Sequence, residues 1–140
     1  MHTGGVISVE LARRLKHVGV TWSPALGDRF IIPDRDMDEQ VFAVSDMVVE
    51  VHELPRGRLL AFNGTTEWAL DSIMQAEALW LPSEAQLRRM LGQAFVSLHA
   101  VPGGYVVIVD DGGGERRHVD VHAEDAYARA LLDVRANKAR

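Results

Sequence analysis

The sequence has no cysteine, so it can form no disulfide framework, no thiolate nucleophile and no cysteine-type zinc site. It also lacks any apolar run near the roughly 18 to 20 residues that a membrane-spanning helix requires. Its opening segment, Met1-His2-Thr3-Gly4-Gly5, has no basic stretch leading into an apolar core, so no targeting segment is read there. These absences predict a cytoplasmic protein without membrane contact. Lysine and arginine number only 15 against 20 acids, giving a net charge of -5. The basic residues are scattered, several as pairs such as Arg13-Arg14, Arg88-Arg89 and Arg116-Arg117. Nucleic-acid binding needs basic residues gathered on one face, so nucleic acid is not an expected partner.

Signature motifs of catalysis are missing too. None of the serines lies in a G-x-S-x-G elbow, and Gly112-Gly113-Gly114 is not followed by the Lys and Ser or Thr of a phosphate loop. No cofactor is therefore expected. Those glycines read as a turn between strands, where they supply backbone angles other residues avoid.

What is present is the composition of an ordinary globular protein, 47% hydrophobic and 25% charged over 140 residues, enough for one self-sufficient core. The expectation is a single α+β domain over residues 1–140, with residues 1–7 and 136–140 as flexible ends. Ser8 can cap a helix over Val9–Val18, whose Leu11, Ala12, Leu15 and Val18 recur at helical spacing and which Gly19 stops. Phe30-Ile31-Ile32 reads as a short strand ended by Pro33. Residues Val41 to Leu54 are Val-rich and alternate, with a slip at Ser45-Asp46 that suggests a bulge or turn. Leu54-Pro55-Arg56-Gly57 turns the chain into a strand over Arg58–Phe62.

Asn63-Gly64-Thr65-Thr66 is rich in capping types and predicts a helix through "EWALDSIMQAEAL", interrupted at Trp80-Leu81-Pro82. Ser83 and Gln86 fit a capping box for a helix over Glu84–Gln93. Residues 95–122 contain an apolar run, Gly103-Gly104, a second Val-rich run, the glycine turn and a third alternating run, which predict three antiparallel strands. An amphipathic helix with apolar positions at Ala123, Ala126, Tyr127, Ala130, Leu131 and Val134 closes the order. Together these elements predict an antiparallel sheet of about five to seven strands, covered by helices on one face.

Three groups of residues are candidates for function. Asp34, Asp36 and Asp38 look like the start of a calcium loop, but the loop's sixth and twelfth places hold Glu39 and Ser45 where Gly and Glu are needed. A solvated turn is the expected reading. His118, Asp120 and His122 would share one face of a strand, because side chains alternate. Two imidazoles and a carboxylate are the ligand set of open-sided iron sites and also suit zinc. The simpler arrangement puts Val119 and Val121 on the buried face and leaves the polar trio in water. Trp22 and Trp80, in "WSP" and "WLP", sit at junctions where tryptophan either anchors a partner or staples an element to the core.

In "ELARRLKHVGVTWSPALGDRFIIPD" and "EALWLPSEAQLRRML" the chain resembles a set of small bacterial proteins, actinobacterial and firmicute, of no established activity. They carry W-x-P-x-x-G-D and W-L-P-x-x-x-Q-L patterns, matched here by Trp22, Pro24, Gly27 and Asp28, and by Trp80, Leu81, Pro82, Gln86 and Leu87. Some actinobacterial relatives bear a pilus-assembly label that belongs to an ATPase-like protein, and this chain has no phosphate loop. The resemblance implies a small bacterial domain and assigns no functional residue.

The leading expectation is a non-enzymatic accessory domain that works through a protein partner, with Trp22 and Trp80 as contact residues. One alternative is a metal-binding module or metal-dependent enzyme using His118, Asp120 and His122. A second is a small-molecule binding protein.

Overall fold

The computed structural model describes residues 5–33, 41–44, 48–63, 72–74 and 77–138. The chain is α+β and runs α1 (Val9–His17), β1 (Arg29–Ile31), β2 (Phe42–Ala43), β3 (Val48–Leu54), β4 (Gly57–Asn63), β5 (Ser72–Met74), β6 (Leu79–Leu81), α2 (Glu84–Leu91), β7 (Phe95–Val101), β8 (Gly104–Val109), β9 (Arg116–Asp120) and α3 (Ala123–Lys138). The strands are all antiparallel. Among the described residues they form three three-stranded sheets, ordered β2-β1-β6, β3-β4-β5 and β7-β8-β9, where the sequence suggested one sheet of five to seven strands. The described chain gathers into two compact units, one of Met1–Thr21 with Pro82–Arg140 and one of Trp22–Leu81.

Several elements follow their sequence signals closely. Ser8 caps α1 by accepting a bond from the Leu11 amide, and Leu11, Ala12 and Leu15 are its buried stripe. Ser83 and Gln86 form the expected capping box on α2, each side chain accepting from the other's backbone amide. The chain then tightens into a 3₁₀ turn over Gly92–Ala94 before β7 begins. The helix expected through "EWALDSIMQAEAL" is not found in its described part: Ser72–Met74 and Leu79–Leu81 are strands. Each pairs with a partner distant in sequence, β5 with β4 and β6 with β1, and tertiary pairing of this kind overrides a modest helical propensity. Residues 64–71 of that prediction, the acidic stretch at residues 34–40 and the slip at Ser45-Asp46 lie outside the described residues.

In the Trp22–Leu81 unit, Trp22, Phe30, Ile32, Phe42, Val44, Leu60 and Ala78 form the core cluster, with Trp80 half-buried against it. Phe30 sits at its centre, 5.1 Å from the Trp22 ring and 5.5 Å from the Phe42 ring. Leu60 from β4 joins the same cluster, so it is shared by two of the sheets.

In the other unit, α3 touches β8, β9, α1 and α2. Its composition explains this: Ala123, Ala126, Ala128 and Ala130 are buried with Tyr127, Leu131 and Val134, and the small side chains let neighbours approach closely. Buried Asp125, in the first turn of α3, accepts the Ser8 amide at 2.8 Å. A carboxylate there also suits the positive end of the α3 dipole.

Candidate functional site

The last sheet settles where the candidate metal ligands go. Its cross-strand rows are Leu98, Val107 and His118; Ala100, Tyr105 and Asp120; and Phe95, Val109 and Arg116, all on one face. That face receives α3. Phe95 stacks on Tyr127 of α3, with ring centres 5.8 Å apart, while His118 and Asp120 reach Asp133 and Arg129 of the same helix. The opposite face carries the rows His99, Val106 and Val119, and Ser97, Ile108 and Arg117.

β9 is therefore oriented the other way from the simple reading of its sequence. Val119 and Val121 are 59% and 63% exposed, and Arg116, His118 and Asp120 are the half-buried residues. The reason lies in the strand's position. β9 is an edge strand among the described residues, so its inward residues meet the rim of α3, and α3 offers ionic partners there.

Asp133 of α3 is the centre of that rim. Its Oδ2 accepts the Arg116 Nε–H at 2.6 Å and the His118 Nε2–H at 2.9 Å. Arg116 also pairs with Asp111 at 3.0 Å and donates to the Gly114 carbonyl at 3.2 Å, and Asn137 of α3 donates to the other Asp111 oxygen. Asp120 accepts from Arg129 at 2.8 Å and from the Val121 and His122 amides, which ties down the link into α3. Burial pushes the Asp133 carboxyl up, but the bonds from Arg116 and His118 outweigh it and leave its pKa below the ordinary value. Asp120 behaves alike: burial raises it, while Arg129 and the two amides bring it lower overall. The Arg116 hydrogen bond is the main cause holding Asp111 at about 2.

These depressed values fix a pH dependence. A carboxylate whose folded pKa lies below its unfolded pKa contributes stability that is present above the unfolded value and lost as pH falls through the folded one. Wild-type stability is expected to fall as pH drops below about 4, where unfolded aspartates begin to take up protons. Asp133→Asn should lower the melting temperature at neutral pH and flatten the acid limb, a contrast read by thermal melts across acid pH. An acid limb as steep as wild type would remove Asp133 from this role.

The same bonds engage two members of the proposed metal trio with α3. His118 Nε2 is engaged by Asp133, and Asp120 is engaged by Arg129 and backbone amides. Among the described residues no three His, Cys, Asp or Glu side chains are grouped to hold a metal ion. The His118–Asp133 pair has the form of an imidazole oriented by a carboxylate, but the oxygen concerned is shared with the Arg116 guanidinium.

Trp22 is only 5% exposed and belongs to the core. Its indole Nε1–H donates to Asp28 Oδ2 at 2.9 Å, and the Ala25 amide donates to the same oxygen at 3.0 Å. The Asp28 amide returns a bond to the Ala25 carbonyl, and the Val44 amide bonds to the Asp28 carbonyl. Gly27 stands between them at φ +90°, a backbone region that disfavours side chains. W-x-P-x-x-G-D is thus a folded turn in which the aspartate bridges indole and backbone. Trp80 is half-buried on β6, and its Nε1–H has no hydrogen-bond partner among the described residues. In W-L-P-x-x-x-Q-L, Gln86 belongs to the capping box and Leu87 is fully buried.

One concave surface escaped the sequence reading. An open groove of about 660 Å³ is lined by Glu84, Arg88, Arg89, Phe95, Leu98 and Tyr127, among others. The Arg88 guanidinium lies 4.3 Å from the centre of the Phe95 ring, so Arg88, Phe95 and Tyr127 make a cation–π and aromatic stack. Burial, followed by the neighbouring Glu124 charge, raises the Glu84 pKa. Burial also raises that of Tyr127, against the opposing charge and hydrogen bond of Arg88. The available signal was the Glu84 and Arg88 pair, one helical turn apart on α2; the aromatic partners come from β7 and α3 and are brought in only by the fold.

No helix among the described residues is long and apolar enough to cross a membrane. No protein-family model, no curated protein and no solved structure matches the chain.

Proposed function

We propose that this chain is a non-enzymatic interaction module that works by contact with another protein. The observation behind this reading is the inverted edge strand. Val119 and Val121 stand in water, and Val101 at the other edge of the same sheet is exposed as well, while the residues that could perform chemistry on β9 are engaged with α3. Exposed apolar side chains gathered on one sheet face, with polar His99 and Arg117 at the sides, have the character of a contact surface. Trp22, placed in the core, is not part of it.

The test is affinity capture from the source organism with the wild type and with a Val119→Glu, Val121→Glu double variant. Both positions are exposed, so the variant should keep the wild-type circular dichroism and lose a partner that the wild type retains. Recovery of the same proteins by both forms, or of none by either, would contradict the proposal.

A further inference from the structure

A second surface, distinct from the outer valines, lies on the α3-facing side of the same sheet. β7 is the other edge of the β7-β8-β9 sheet among the described residues, and no residue of its sequence Phe95-Val-Ser-Leu-His-Ala-Val101 carries a permanent charge. Edge strands are commonly guarded by charge, proline or a bulge, because their outward N–H and C=O groups are ready to pair. The guard here is partial: the register shifts between Phe95 and Ser97, and the pairing from Ser97 to Val101 is regular. Those five residues are half-buried or exposed, so an incoming strand is not shut out by side chains.

Beside this edge lies the groove between α2 and β7. Phe95 and Leu98 form part of its floor, and Tyr127 lies among its lining residues. Its charges are ordered along α2: Glu84 stands in the first turn, and Arg88 and Arg89 stand in the last. An unpaired edge supplies main-chain bonds to an extended peptide, and an adjacent groove takes its alternate side chains. The two arginines favour a guest with carboxylates toward the end of α2. A second copy of β7 fits less well, because its own sequence brings no carboxylate to them.

We propose that β7 accepts an extended acidic segment of another protein as a fourth strand, with the segment's acidic end held by Arg88 and Arg89. The test uses the full chain and two synthetic octapeptides of alternating Thr and Val, one ending in two glutamates and the other in two lysines. Binding is followed by fluorescence anisotropy, and the site by amide hydrogen exchange. The glutamate peptide should bind at least about tenfold more tightly than the lysine peptide, and Arg89→Glu should reverse that order. Exchange should slow at alternate amides within Ser97–Val101. The Val119→Glu, Val121→Glu variant should bind the peptide normally, which separates this site from the outer face.

Absence of binding at millimolar peptide would overturn the proposal. So would equal affinity for both peptides, or binding without protection in β7. Equal competition by free glutamate would reduce the site to a small-anion pocket, and a concentration-dependent dimer whose contact protects β7 would assign the edge to a second copy. Arg89→Glu alone serves if Arg88 variants disturb the stack on Phe95, since Arg89 is exposed.

Discussion

Replacing Asp28 with Ala is expected to destabilise the Trp22–Leu81 unit by about 3 kcal/mol, since the change strands a buried donor and a part-buried one that a carboxylate had satisfied. Asp28 is 5% exposed, and one of its oxygens accepts both the Trp22 indole and the Ala25 amide. Alanine leaves the indole N–H facing the core and removes one of the ties that fold the turn back on itself. Asp28→Asn keeps a carbonyl acceptor and should cost only about 1 kcal/mol. The readout is favourable, because all three tryptophans belong to the Trp22–Leu81 unit, whereas α1, α2 and α3 belong to the other. In urea titrations, tryptophan fluorescence should show a lowered midpoint in Asp28→Ala. A midpoint within experimental error of wild type would mean that the aspartate is not what holds the turn.

Gly104→Ala should destabilise the other unit by about 2 to 3 kcal/mol, the range for forcing atoms into a filled space. A methyl group at Gly104 would collide with the carbonyl oxygen of Asp120 and approach the Val121 Cα at 3.1 Å. Both are backbone atoms, so the clash cannot be relieved by turning a side chain. Either β9 separates from β8 or the start of α3 moves with it, because Asp120 also holds the amides leading into that helix. Gly103→Ala is the natural comparison: its φ is +83° but nothing lies within 4 Å of the added carbon, and backbone strain alone costs about 1 kcal/mol. The loss should appear in the helical circular dichroism signal. A Gly104→Ala protein as stable as Gly103→Ala would show that β8 and β9 are not so closely apposed.

The sequence was most informative where local chemistry alone decides the structure. Ser8, Ser83 and Gln86 announce helix starts because a cap is made within one turn. The glycine pair and triplet between β7, β8 and β9 mark hairpins for the same reason. Legibility failed where the decision is tertiary. "DSIMQAEAL" contains good helix formers, yet pairing with β4 and β1 draws Ser72–Met74 and Leu79 into strands. "RRHVDVH" alternates cleanly, but alternation says only that two faces differ, and the preference for valine inside was overruled by Asp133 and Arg129 on α3. Asp133 lies 15 residues beyond its partner His118, and Arg129 lies 9 beyond its partner Asp120, and only the fold of α3 over the sheet brings them together. Trp22 and Asp28 formed part of a visible pattern, but the bond between the buried indole and the buried carboxylate that closes this surface turn is made only when the core forms around Phe30.

The facing of β9 underlies both the engagement of His118 and Asp120 by α3 and the proposed contact surface, and a chain without cysteine permits its direct measurement. Single variants Val119→Cys, Val121→Cys and His118→Cys, each carrying the only thiol in the protein, would be treated with a maleimide under native conditions. The valine positions should label at the rate of a thiol in unfolded protein, and His118→Cys should label clearly more slowly under the rim of α3. Slow labelling at 119 with fast labelling at 118 would place the valines inside and the imidazole in water, and would contradict the structure on which these conclusions stand.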